Sequence, residues 1–230
     1  MEEMLKIEVE GELKEYQKGI TYQEIAKEYQ NRYEDDILLV LFNHRLRELW
    51  KTPKTDGTIS FVTAKEEAGK KSYRRSVTLL LQKAVDNLYG KEGVSVRVCH
   101  SLGQGYYCEL RGMEKPGNDK ILSIKIEMMR LVDEDSMIRK SSYRTDEAIA
   151  LFAEKGMHDK ERLFRYRRSS RVNVYDLDGY KDYFYGYMVP STGYLKYFDL
   201  ISYEDGMMLL FPNKETKVVA EFSPSGKLFH

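Results

Sequence analysis

Cysteine is nearly missing from this chain: only Cys99 and Cys108 occur in 230 residues. That is too few for a disulfide framework and fits a reducing compartment. No apolar run approaches the roughly 20 residues that a membrane span requires. The first residues, Met1-Glu2-Glu3-Met4, are acidic where a secretory signal would be basic and then apolar. We therefore expect a soluble, cytoplasmic protein without a membrane partner. An excess of either charge is also missing, since Lys plus Arg and Asp plus Glu both total 37. No global field draws the protein to nucleic acid or anionic lipid, so any such binding must be local. What the chain does have is tyrosine, 18 in all. Many lie between Tyr175 and Tyr203, where aromatic and polar residues alternate as in strands. The length allows one large or two modest domains, each with its own core, and two is the better expectation.

Leu5 to Val9 alternates apolar and charged residues, Gly11 breaks the pattern, and Leu13 to Tyr16 resumes it, as in a β-hairpin. Thr21 and Glu24 form a capping box ahead of a helix whose Ile25, Tyr29 and Tyr33 share a face. Strands follow at Ile37 to Phe42, Leu46 to Leu49 and Thr58 to Val62, with Asn43-His44 as a turn. The order ββαβββ is that of a small β-grasp domain.

Lys65 to Lys71 is charged, contains Gly69 and reads as a linker. Ser72 to Tyr89 carries Val77, Leu80, Leu81, Ala84, Val85 and Leu88 at helical spacing, with Gly90 placed for a left-handed C-cap. Strands are expected at Val94 to Val98 and Tyr106 to Leu110, a helix at Ile121 to Leu131, and a strand at Met137 to Tyr143. Thr145, with Asp146 and Glu147 in the first turn, starts another helix. Val172 to Leu177, Tyr183 to Val189, Leu195 to Leu200 and Met207 to Phe211 complete a mostly antiparallel α+β unit ending near Phe222.

Four fragments invite a chemical reading. Gly69-Lys70-Lys71-Ser72 and Ser225-Gly226-Lys227-Leu228 contain the Gly-Lys of a P-loop, but one lacks the preceding glycine and the other the following Ser or Thr. Cys99, His100 and Cys108 could meet across a hairpin as metal ligands. Without paired C-x-x-C spacing, two buried small hydrophobes and a strand histidine are the simpler account. Arg165, Arg167, Arg168 and Arg171 form the one dense basic run. They could hold phosphate or RNA, although a solvated helix end explains them as well.

Asn43-His44-Arg45-Leu46-Arg47-Glu48-Leu49 resembles the V-N-G-x-L-x-x-L hairpin of the TGS domain, and residues 1–67 resemble that β-grasp domain as a whole. Tyr73 to Leu81, Gly105-Tyr106-Tyr107, Glu147 to Phe152 and Asp182 to Gly193 resemble segments of the threonyl-tRNA synthetase editing module, which the threonyl/alanyl-tRNA synthetase editing-like (SAD-like) fold implies for residues 68–222. The family's helix carries two histidines four residues apart, where this chain has Arg75 and Leu79. Its D-x-C-x-G-x-H-V-P-S-T-G segment has Phe184 for the cysteine and Met188 for the histidine. Phe, Leu and a protonated guanidinium offer a metal no strong donor. The resemblance thus implies no catalytic and no metal-binding residue here. If the fold is kept, Arg75, Tyr107, Tyr185 and Tyr187 would line the emptied cleft, which either binds a nucleotide-like ligand or is simply filled by Leu79, Phe184 and Met188.

The same losses, and Tyr185 to Tyr194 in particular, resemble the N-terminal region of bacterial uridine kinase-like nucleoside kinases. That resemblance implies a regulatory or ligand- or RNA-binding role, with a tail at 223–230 leading to an absent C-terminal kinase domain as partner. ATP and magnesium would belong to that kinase domain alone. It leaves oligomerisation open. The rival reading is a tRNA-editing module, active or RNA-binding, that hydrolyses mischarged Ser-tRNA(Thr).

Overall fold

A computed structural model describes residues 3–154, 156–166, 170–212 and 215–222. The chain opens with β1 (Met4–Val9) and β2 (Glu12–Gln17), antiparallel and joined through Glu10 and Gly11, both at positive φ. This is the turn geometry whose twist matches a hairpin. Helix α1 (Tyr22–Tyr29) starts at the expected capping box: the Glu24 N–H donates to the Thr21 hydroxyl at 3.1 Å and the Thr21 N–H to the Glu24 carboxylate at 2.7 Å. Then come β3 (Ile37–Phe42), β4 (Arg45–Glu48) and β5 (Gly57–Thr63). Asn43 and His44 turn the β3–β4 hairpin, again at positive φ. The sheet has order β2-β1-β5-β3-β4, with β1 and β5 parallel and the other pairs antiparallel.

Strand β3 explains its own near-continuous apolar run. Ile37, Val40 and Phe42 pack with Ile7, Ile25 and Tyr29, whereas Leu38 and Leu39 join a second core built around the next helix in the chain. A strand buried on both faces needs apolar residues throughout rather than at alternate positions. The N-terminal sheet therefore has a core of its own on one face and adds Leu38, Leu39 and Val62 to the central core on the other.

Helix α2 (Glu67–Tyr89) begins five residues earlier than the expected Ser72, so Glu67 to Lys71 is helix and not linker. Gly69 is there for contact: a Cβ at that position would come within 1.8 Å of the Thr63 carbonyl oxygen. The left-handed cap is also displaced. Gly90 is right-handed at φ −60° and opens a 3-10 turn, and Gly93 takes the positive φ of 76°.

The chain continues through β6 (Ser95–Leu102), β7 (Gly105–Arg111), α3 (Asn118–Glu134), β8 (Ile138–Arg144), α4 (Thr145–Glu154) and α5 (His158–Arg165). It ends with β9 (Arg171–Leu177), β10 (Tyr180–Tyr183), β11 (Asp199–Tyr203) and β12 (Gly206–Leu210). Two further antiparallel sheets result, β11-β12-β7-β6 and β10-β9-β8. The architecture is α+β with mostly antiparallel sheets. A central core joins Leu79, Leu80, Ile124, Met128, Leu177, Met188 and Leu209, all but sealed from solvent. Two expectations need correction. The strand expected at Tyr183 to Val189 stops at Tyr183, and the one expected from Leu195 begins only at Asp199. No helix among the described residues is long and apolar enough to cross a membrane.

Candidate functional site

Arg75 and Leu79 lie one turn apart on α2, and the irregular segment 184–189 packs against that helix. Leu79 and Met188, 0% and 1% exposed, belong to the same core, and the half-buried Phe184 packs against it. Arg75 points along the segment instead, donating to the Tyr187 carbonyl at 3.2 Å. Its guanidinium lies against Gly186, where φ is +118° and a Cβ would fall 2.6 Å from the guanidinium carbon. The positions that would carry a metal in the resembled module hold hydrocarbon and a fixed cation. Among the described residues, no group of three or more His, Cys, Asp or Glu side chains is gathered closely enough to hold a metal ion.

Beside them stands a group that sequence reasoning missed. Glu48, the last residue of β4, is 0% exposed. Its carboxylate accepts from the Tyr175 hydroxyl at 2.5 Å and the Met188 N–H at 3.3 Å, and pairs with the Lys140 ammonium at 3.2 Å. Lys140 also faces the rings of Tyr175 and Tyr187 at 5.2 Å. Burial pulls the Lys140 ammonium below the ordinary lysine range, with Glu48 acting in the opposite direction. Burial, reinforced by Glu48, pushes the Tyr175 phenol well up, so it remains a neutral hydroxyl. The cluster joins β4, β8 and β9 to a segment that has no ladder of its own.

A cleft of about 690 Å³ opens on the other side of Phe184, between α2, β6, α5 and β10. Thr78, Gln82, Arg97, Lys160, Asp182 and Phe184 are among its walls. Asp182 is 1% exposed, ion-paired with Lys160 and next to the Gln82 side chain. Burial drives this carboxyl above the ordinary aspartate range, and Lys160 only partly offsets that. A perturbed carboxyl beside a cation in a cleft is a frequent mark of a functional site. Among the described residues, the lining contains no imidazole and no thiol. Asp182 was within reach of sequence reasoning as the first residue of the Asp182 to Gly193 segment, whereas Lys160 carries no motif.

The other candidates scatter. Tyr187 joins Arg75 through its carbonyl, but Tyr185 is 79% exposed. Tyr107 does not belong to the cleft. Strand alternation turns its neighbour Cys108 into the central core and sends Tyr107 to the opposite face of the sheet, beside Met208 and Leu210. Cys99 sits where the β6–β7 register shifts and packs with that outer cluster, so it and Cys108 face opposite sides. Arg165 pairs with Glu161 at 2.6 Å, and Arg171 donates to the Ser142 carbonyl and hydroxyl. Arg167 and Arg168 lie outside the described residues, as does Ser225 to Leu228. Gly69 to Ser72 is helical and forms no phosphate loop.

No family model matches the chain. Over 204 residues it is 30% identical to a threonine–tRNA ligase of Bacillus velezensis, covering 88% of this chain and 31% of that protein. It is similar to the threonine–tRNA ligases. The ligase of Carboxydothermus hydrogenoformans is 29% identical over 193 residues, 84% of this chain and 30% of its own length. The Thermotoga maritima ligase is 29% identical over 202 residues, 86% and 31%. The chain thus spans about a third of the length of the curated ligases it matches. The similarity runs through most of the elements described above and supports an editing-type, tRNA-synthetase-related module.

Proposed function

We propose that this chain is a tRNA-synthetase-related binding module that receives the nucleotide-bearing end of a tRNA in the cleft beside α2 without hydrolysing it. The observation that carries the reading is the contrast between two neighbouring sites. The positions equivalent to the metal and imidazole groups are filled by Leu79, Met188 and Phe184, yet the adjoining cleft keeps about 690 Å³ with Lys160, Arg97, Gln82 and Asp182 in its walls. Cations and amides suit phosphate and base edges, and neither can activate water alone. Similarity to the threonine–tRNA ligases makes threonine-accepting tRNA the first RNA to try. Electrophoretic mobility shifts at low salt, paired with deacylation of Ser-tRNA(Thr), test this. Binding weakened by Lys160→Met, with no deacylation above background, is expected, and no shift at low salt would refute it.

The raised Asp182 carboxyl favours a second reading, hydrolysis with Asp182 as general base in place of the lost histidines. Turnover abolished by Asp182→Asn would establish it. The kinase-linked reading, a regulatory region preceding an ATP- and magnesium-dependent nucleoside kinase domain, is supported by the same substitutions at Arg75, Leu79, Phe184 and Met188. None of the relatives described above is a kinase, so this reading stands behind the other two. A P-loop kinase sequence in the same reading frame beyond residue 230 would bring it forward.

A further inference from the structure

The backbone between Gly186 and Val189 is held by side chains rather than by a strand ladder. The Gly186 carbonyl accepts from the Tyr175 hydroxyl at 2.6 Å and from Lys140 at 3.5 Å. The Tyr187 carbonyl accepts from Arg75, the Met188 N–H donates to Glu48, and the Val189 N–H donates to the Ser76 hydroxyl at 3.1 Å. Arg75 and Ser76 come from α2, Lys140 from β8 and Tyr175 from β9. Glu48 alone among these holders belongs to the N-terminal sheet. Two residues before Gly186, the same segment contributes Phe184 to the wall of the cleft.

We infer that the N-terminal sheet regulates the cleft through Glu48, which fixes the segment 184–189 from the outside. The inference rests on the cleft being the ligand site proposed above, and names its control. The Lys140 ammonium also feels the positive charges of Lys51 and Arg75, and Glu48 is the buried carboxylate paired with it. Taking Glu48 away leaves Lys140 buried without its counter-ion and Met188 with a free N–H. Water or a rearranged segment must then satisfy both, so Phe184 loses its fixed position. Coupling of this kind is reciprocal: a ligand that displaces Phe184 strains the Glu48 contact, and a partner that shifts β4 alters the cleft.

Amide hydrogen exchange on the full chain reads this directly. Glu48→Gln keeps the shape and removes the charge, and Glu48→Ala removes the group. Both are expected to accelerate exchange at Met188 and Val189 about tenfold or more while the amides of β1 and α3 keep their rates. Unchanged rates at Met188 and Val189, or acceleration shared equally by α3, would overturn the inference. Should Glu48→Ala fail to fold, the isosteric Glu48→Gln still decides. A parallel titration with adenosine 5′-monophosphate separates the two readings. An affinity altered by Glu48→Gln but not by Glu8→Gln, at an exposed position of β1, is expected. If the unsubstituted chain binds no adenosine 5′-monophosphate while the exchange effect holds, the ligand reading fails and the mechanical link stands.

Discussion

The Tyr175 hydroxyl lies 2.5 Å from the Glu48 carboxylate and joins β9 to β4 across 127 positions of the chain. The same hydroxyl is 2.6 Å from the Gly186 carbonyl, so its one hydrogen is shared between the two oxygens. Tyr175→Phe is expected to cost roughly 1–3 kcal/mol and Glu48→Ala roughly 3–5 kcal/mol, since the latter strands the buried Lys140. Urea unfolding of both variants and of the double variant measures this. Strictly additive costs would show that the two residues do not act as one cluster.

Gly186→Ala should be destabilising by roughly 1–3 kcal/mol, because its φ of +118° is open to glycine and a Cβ would press on the Arg75 guanidinium. Combining it with Arg75→Ala relieves the clash but not the backbone strain, so the double variant should recover only part of the loss. Full recovery would place the whole effect in the clash.

Asp182 predicts a pH dependence. Its folded-state pKa is raised above the unfolded value, so its contribution to stability is complete below about 3.8 and is lost as pH rises through the folded value. Asp182→Asn has no such loss. Its melting temperature should therefore improve relative to the unsubstituted protein as pH climbs from 4 towards neutrality. The opposite slope would mean that the Lys160 ion pair outweighs the cost of burial.

Leu79 occupies a histidine position of the resembled module as an ordinary core residue. Leu79→Ala should cost about 2–5 kcal/mol through lost burial and a residual cavity. Chelation with EDTA should leave the melting temperature of the unsubstituted chain unchanged. A fall in melting temperature on chelation would reveal a structural metal.

Local signals were the legible ones. The Thr21–Glu24 capping box and the Asn43-His44 turn involve neighbours in the chain, so residue type and spacing carried them. Gly69 misled because a glycine among charges looks like a hinge, when here it lets α2 approach the Thr63 carbonyl. The strand expected at Tyr183 to Val189 failed because alternating aromatics mimic a pleat, while Gly186 at positive φ prevents one. Tyr107 was misplaced because the resemblance gives its neighbourhood but not which face of β7 it occupies. Glu48 was invisible for another reason. In Arg45-Leu46-Arg47-Glu48 it reads as one more surface charge, and its partners Lys140, Tyr175 and Met188 lie 92, 127 and 140 positions away.

Strand β3, covered by α1 on one side and by the α2 core on the other, has a practical consequence. Cleaving the chain just before Glu67 would strip Leu38 and Leu39 of their cover and bare the matching side of α2, giving two sticky fragments. An engineer dividing this protein, or a protease trimming it, would have to take the N-terminal sheet and the long helix together.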